Sequence, residues 1–396
     1  MTATNPLAYL TEQLQEWRKA GTFQRLRELQ SPCEPVCRFD GREVINLASN
    51  NYLGLANHPK LVEAAIDAAR RYGAGSGAVR TISGTMSIHL ELERRIAAFK
   101  RVEACVVFQS GFAANAGTVS AILGPEDHIV SDELNHASII DGCRLSRAKI
   151  HVFPHRDAAR AGEILAGLSS VPGHKLLITD GVFSMDGDIG PLPALVEAAE
   201  RHGAIMMIDD AHSSGVLGSH GRGTVDHFGL HGRVPVQVGT LSKAVGVLGG
   251  YVCGSRDLID FLYHRARPFL FSTSHPPAVA AACLAAFEIL ENEPERVATL
   301  WENTRYFKDA LRQAGFDTGH SETPIAPIMV GEAAAAHGFS RALFEEGLYA
   351  TGIGFPTVPK GKARIRTIVT ATHTRAMLDR AVEILARVAR RMSILS

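Results

Sequence analysis

Between about Leu90 and Gly254, helical stretches alternate with short apolar runs, and this alternation constrains the fold more than any other feature. The runs are Cys105–Phe108, His128–Val130, Ile150–Phe153, Lys175–Thr179, Ile205–Ile208, Val236–Val238 and Gly250–Cys253. Several are apolar throughout, the pattern of strands covered on both faces. Strand–helix alternation of this kind predicts an α/β layer fold with a mostly parallel central sheet. Ligands of such sheets bind beyond the carboxyl ends of the strands, so the residues just after each run are the candidates for chemistry.

The rest of the chain reads differently. Leu7 to Leu29 carries apolar residues at helical spacing, with Gly21 as a break. Val44–Leu47 is a short strand, and His58-Pro59 opens a helix through Arg70. Gly73 to Gly77 reads as a flexible glycine-rich loop. A long helix is expected over Pro276–Glu291. Beyond it, strands at Ile325–Val330 and Ala363–Val369 are separated by a helix at Ala334–Glu346. The expected organisation is an N-terminal helical segment over 1–45, a large domain over 46–289 and a smaller C-terminal α+β domain over 290–396. With 396 residues, 46% of them hydrophobic, the chain has enough apolar material for two lobes.

Charge and cysteine usage exclude several classes. The 41 basic and 41 acidic residues balance, so nothing favours nucleic acid or an anionic membrane. No window reaches the roughly 18 apolar residues of a membrane span. Met1 to Glu16 lacks the basic start and apolar stretch of a signal peptide. Of the six cysteines only Cys33 and Cys37 are close together, and no second pair completes a zinc set. The expectation is a cytoplasmic protein with no metal.

Five strand ends carry chemistry. After Cys105–Phe108 come Ser110, Gly111 and Phe112 at a helix start, where backbone N–H groups and the helix dipole suit a phosphate. His136 follows His128–Val130 and offers a flat ring. Ser184 follows Lys175–Thr179. Asp209 and His212 follow Ile205–Ile208, and Thr240 and Lys243 follow Val236–Val238. An acid able to hold a pyridinium nitrogen, with a lysine able to form a Schiff base, is what pyridoxal phosphate (PLP) requires of a protein.

With these residues in place, the chain resembles the α-oxoamine synthases, a branch of the fold-type I PLP enzymes with the aspartate aminotransferase-like fold. The resemblance runs from Asn46 to about Thr374. Ser49–Pro59, Asn135–Gly142, Ala363–Thr367 and Val79-Arg80 ahead of Ser83-Gly84 resemble glycine C-acetyltransferase (2-amino-3-ketobutyrate CoA ligase) most. Phe355–Pro359 is equally similar to the 8-amino-7-oxononanoate synthases. The leading expectation is therefore acyl transfer from acetyl-CoA to glycine. The alternatives are 8-amino-7-oxononanoate synthesis from alanine and a pimeloyl thioester, or a broad-specificity member.

The resemblance also implies roles. Lys243 holds the cofactor and moves the Cα proton, Asp209 faces the pyridine nitrogen and His136 stacks on the ring. His212 and Ser184 hold the phenolic oxygen. Gly111, Phe112 and Thr240 hold the phosphate, joined by Ser272 and Thr273 of a second subunit. Asn50 and Arg366 take the amino-acid carboxylate, and Arg25 and Thr357 the acyl-CoA side. The implied assembly is a homodimer with a shared site.

Overall fold

The computed structural model describes residues 5–355 and 357–395. Pro356, within the Phe355–Pro359 stretch, and the first four residues of the Met1–Glu16 stretch lie outside the described residues. Contacts divide the chain into two units, one of Met1–Ser49 with Glu302–Ser396 and one of Asn50–Trp301.

The first unit begins with a helix over Ala8–Lys19. Apolar residues at helical spacing continue to Leu29 beyond the expected break at Gly21, but no helix forms there. The chain turns instead at Gly21 (φ +69), and the N–H groups of Thr22 and Phe23 both return to the Trp17 carbonyl. Then come β1 (Val36–Phe39) and β2 (Arg42–Asn46), an antiparallel hairpin. Its turn is Asp40-Gly41, with φ of 48° and 79°, the Asp-Gly geometry that matches the twist of paired strands.

The second unit carries the large sheet. Its strands are β3 (Ala104–Phe108), β4 (His128–Asp132), β5 (Lys149–Phe153), β6 (Lys175–Asp180), β7 (Ile205–Asp209), β8 (Val236–Thr240) and β9 (Gly250–Gly254). Their order is β3-β9-β8-β7-β6-β4-β5. β9 runs antiparallel to both neighbours, and the other pairings are parallel. Each apolar run named above is one of these strands.

Both faces are covered, which explains the uninterrupted apolar runs. On one face Ile129, Leu176, Ile178, Met207 and Val238 pack with Ala114 and Val119 of the helix Gly111–Ile122 and with Ile259 and Leu262. On the other, Val130, Leu177, Met206 and Ile208 pack with Leu165, Leu195 and Val196. Successive residues alternate between the faces, as strand pleating requires. Each large aliphatic side chain so buried stabilises the fold by about 1.5–3 kcal/mol.

The chain returns to the first unit for β10 (Ile325–Gly331), β11 (Leu348–Tyr349), β12 (Thr351–Ile353) and β13 (Ala363–Ile368). They form two three-stranded sheets, β1-β2-β11 and β10-β13-β12. Leu47, Phe307, Phe339, Leu343, Ile365 and Leu385 are among the residues of this unit's core.

Just past β7, Asp210 anchors the second unit. Its carboxylate accepts from Lys100 Nζ at 2.7 Å, and both side chains are almost fully buried. Lys100 Nζ also donates to the Arg222 carbonyl at 2.6 Å, and the Thr224 N–H reaches Asp210 Oδ1 at 3.2 Å. Burial works against the Lys100 charge, but the Asp210 carboxylate outweighs it and the lysine pKa is raised. Gly223 (φ +103) passes so close that a Cβ there would lie 2.1 Å from Asp210 Oδ2.

Lys100→Met leaves this carboxylate buried and unpaired, which costs about 3–5 kcal/mol. Thermal unfolding of the variant is expected to shift down by several degrees. An unchanged midpoint would show that the pair does not hold this region.

Candidate active site

A cavity of about 180 Å³ lies at the carboxyl ends of the central strands of the second unit. Ser110, Gly111, Phe112, His136, Ser184, Asp209, His212, Thr240 and Lys243 all line it. Ser138, Asp180, Val182, Ala211 and Ser242, which the sequence reading passed over, complete the lining.

Asp209 continues the parity of Met207 and so faces the helix Gly111–Ile122. Its Oδ2 accepts from Asn115 Nδ2 at 2.6 Å and its Oδ1 from the Ala211 N–H at 2.8 Å. Asn115 also donates to Ser138 Oγ at 3.0 Å. The carboxylate is thus oriented from both sides while its residue is only 4% exposed. Charge-assisted bonds of this kind keep a buried carboxylate in place.

The turn after β3 makes the opposite wall. Ser110 caps the helix by accepting from the Ala113 N–H at 3.0 Å, and its carbonyl takes the Ala114 N–H. The N–H groups of Gly111 and Phe112 are left at the open end of a 12-residue helix. A Cβ on Gly111 would stand 3.3 Å from Thr240 Cβ, so glycine keeps this wall clear. Thr240 Oγ1 donates to the Gly249 carbonyl at 2.8 Å and lies 2.7 Å from Ser242 Oγ. The backbone N–H groups at this helix N-terminus form a cradle for an anion, with the Thr240 and Ser242 hydroxyls beside it.

His136 caps the helix Ala137–Ser146, and its N–H donates to Asp180 Oδ2 at 2.8 Å. Its Nδ1 lies 2.7 Å from Ser138 Oγ. Desolvation by the surrounding protein lowers its pKa; Asp209 opposes this and Lys243 adds to it. Burial raises the Asp180 pKa well above the carboxylate range, and the neighbouring Asp209 charge adds to the effect. His212 Nδ1 is held at 2.8 Å by the hydroxyl of Tyr52, a fully buried residue.

The remaining candidates stand elsewhere. Ser272 and Thr273 follow the helix Arg267–Leu270 and are not in the cavity lining. The Thr273 carbonyl accepts from Gln109 Nε2 at 2.7 Å. Asn50 is half-buried ahead of Tyr52, whose N–H its carbonyl accepts. In the first unit, Arg25 and Thr357 are exposed, and Arg366 is buried in β13 opposite Pro327 and Thr351.

Two signals could have found some of the missed residues. Asp180 ends β6 in direct register with Asp209 at the end of β7. Asn115 lies four residues after Gly111, on the same helix face.

A family model for class I and II aminotransferases matches residues 42–385. The chain belongs to the class I and II aminotransferase family. Among relatives, an 8-amino-7-oxononanoate synthase of Symbiobacterium thermophilum is 61% identical over 98% of this chain and 99% of its own. Another, from Thermoanaerobacter pseudethanolicus, is 55% identical over the full length of both. Among solved structures, a serine palmitoyltransferase with its PLP internal aldimine is 30% identical with a TM-score of 0.93, covering 99% of this chain and 100% of that one. Within the aminotransferase family, these similarities put the chain in the α-oxoamine synthase branch.

The expectation of a glycine C-acetyltransferase is overturned by those relatives, which are 8-amino-7-oxononanoate synthases at 61% and 55% identity. Several side chains in the stretches that suggested it are engaged in bonds within the protein. Asn135 spans β4 and β6, donating to the Ser131 hydroxyl and Ile178 carbonyl and accepting from the Asp180 N–H. Asn51 accepts from the Ala56 N–H, and Arg80 makes a buried two-pronged ion pair with Glu93. His58 caps the helix that Pro59 begins. The contacts described for these side chains are with the protein itself, including the Arg296 guanidinium beside His58 Nε2.

Gly250→Ala tests the wall after β3, because a Cβ there would lie 2.3 Å from the Ser110 carbonyl oxygen and 2.5 Å from Gly111 N. Overpacking of this kind costs about 1–3 kcal/mol. The variant should melt several degrees lower, and an undisturbed melting curve would contradict the close approach.

Proposed function

We propose that this chain is a PLP-dependent 8-amino-7-oxononanoate synthase, joining alanine to a pimeloyl thioester with release of the free thiol and carbon dioxide. The observation that carries the reading is 61% identity, over 98% of the chain, to a relative of that activity. The donor set fits the cofactor. A buried oriented acid and a lysine share one cavity, and an anion cradle with an open helix end lies across from them.

When bound, PLP supplies an electron sink for a bond broken at the amino acid's Cα. This chain's residues prepare that chemistry. Asp209, fixed by Asn115 and the Ala211 N–H, presents a negative charge that keeps a proton on the ring nitrogen. Lys243 Nζ holds the cofactor and, when released, takes and returns the Cα proton. Gly111, Phe112 and Thr240 bind the phosphate. His136 covers the ring as a neutral imidazole, in keeping with its lowered pKa. His212, steadied by Tyr52, and Ser184 take the phenolic oxygen.

By resemblance, Arg366 and Asn50 are assigned the amino-acid carboxylate, and Arg25 and Thr357 the acyl thioester. Ser272 and Thr273, absent from the cavity lining of their own chain, are assigned to the phosphate site of a second copy in a homodimer.

The test is a thiol-release assay with carbon dioxide measured in parallel. Alanine with pimeloyl-CoA should outrun glycine with acetyl-CoA, and each thiol released should accompany one carbon dioxide. One methyl group at Cα discriminates by about 10–200-fold, so the amino-acid preference should fall in that range. Preference for glycine with acetyl-CoA, or thiol release without carbon dioxide, would refute the proposal.

A further inference from the structure

His155, two residues past β5, stands between two buried aspartates. Its Nδ1 is 3.1 Å from Asp132 Oδ1 and its Nε2 is 2.7 Å from Asp188 Oδ2. Asp132 ends β4, four residues before His136, and its side chain is fully buried. Asp188 is four residues after Ser184, and its side chain is 6% exposed. A carboxylate only accepts hydrogen bonds, and a neutral imidazole donates only one. Two carboxylates on the two ring nitrogens therefore require both N–H groups, which is the charged imidazolium.

The surroundings of the ring agree. Its backbone N–H donates to Glu133 Oε1 at 2.9 Å, and the edge of Phe183 meets the ring at 4.4 Å between centroids. Arg156 adds its N–H to Asp132 Oδ2 at 2.8 Å and its guanidinium to Asp188 Oδ2 at 3.5 Å. Asp132 Oδ1 also accepts from the Leu134 N–H at 2.9 Å. Asp188 Oδ1 has no donor among the described residues, so Asp188 depends on His155 and the longer Arg156 contact. Burial opposes the charge on His155, but the two aspartates outweigh it and raise its pKa to about 9.

We propose that His155 is a positioning residue for the candidate active site, a charged bridge that ties the loop presenting His136 to the loop presenting Ser184. The first loop runs from Asp132 through Asn135, whose amide already joins β4 to β6. The second returns on itself, with the Phe183 N–H bonded to the Asp188 carbonyl and the Gly187 N–H to the Phe183 carbonyl. Neither loop's own bonds span the gap between Asp132 and Asp188, which His155 closes with short bonds on both sides and Arg156 with one short and one long. When His155 loses its proton, one of the two carboxylates loses its imidazole donor, only Arg156 among the described residues still bridges Asp132 and Asp188, and the tie between the loops weakens. Because the folded pKa is raised above the unfolded value of 6.5, the bridge is fully formed below about pH 6.5 and is lost as pH rises through about 9.

The experiment compares the wild-type enzyme with His155→Gln, which keeps a donor and the approximate size but not the charge. In the wild type, NMR of 13C-labelled histidine should show the His155 ring, assigned by its loss in the variant, keeping its proton to about pH 9. Titration near 6.5 would overturn the proposal. At neutral pH, hydrogen exchange read by mass spectrometry should quicken about tenfold in the peptides holding His136 and Ser184, and little elsewhere. A uniform change, or none, would also overturn it. Neither readout needs a substrate, so both stand apart from the functional reading. The last arm rests on that reading: the wild-type to variant ratio of kcat should shrink towards one as pH passes about 9. A ratio that stays constant with pH would leave His155 a merely structural residue.

Discussion

Two adjacent aspartates at the end of β7 are turned to different tasks, and much of the second unit follows from that division. Asp209 keeps the strand's parity and enters the cavity, where Asn115 and the Ala211 N–H hold it. Asp210, one residue on, leaves the strand and closes a buried ion pair with Lys100. The ion pair fixes the turn through Ser213 and Thr224, and the turn sets His212 beside the cavity. Without the second carboxylate the turn that follows the first would lose its buried anchor. Without the first, the cavity would have no fixed negative charge in its floor.

The sheet was legible because burial on both faces writes itself into sequence as unbroken apolar runs. Seven such runs became β3 to β9 in order. The small strands were less legible. β11 and β12 hold two and three residues, too few for a period to show. β1 was not expected from its own residues, although Asp40-Gly41 after it is a hairpin signal. The N-terminal helix stops at Lys19, just before the break expected at Gly21, and the apolar spacing that continues to Leu29 forms no further helix.

In the site, residues that end strands were found and residues that support them were not. Lys243, Asp209 and His136 follow directly from the rule that chemistry lies past the carboxyl ends of strands. Ser138 and Tyr52 act from a helix and from distant chain with no local pattern of their own, and Asn115 is marked only by its helical spacing from Gly111. Ser272 and Thr273 fall outside the cavity lining of their own chain. The acyl preference was misread for a related reason. Asn135 and Asn51 adjoin the candidate residues His136 and Asn50, and Arg80 lies in another stretch that carried the resemblance, yet the bonds described for them are to the protein's own backbone and buried side chains. Similarity between families at such positions records how a loop is tied down, not what the enzyme accepts.

The central claim is that one cavity joins Lys243 to the charge of Asp209 through a single cofactor. The most direct test is borohydride reduction of the purified holoenzyme, followed by proteolysis and mass spectrometry. The account predicts that the cofactor mass is found on the peptide containing Lys243, and that Lys100, locked in its pair with Asp210, is unmodified. Cofactor trapped on another lysine, or none trapped at all, would contradict it.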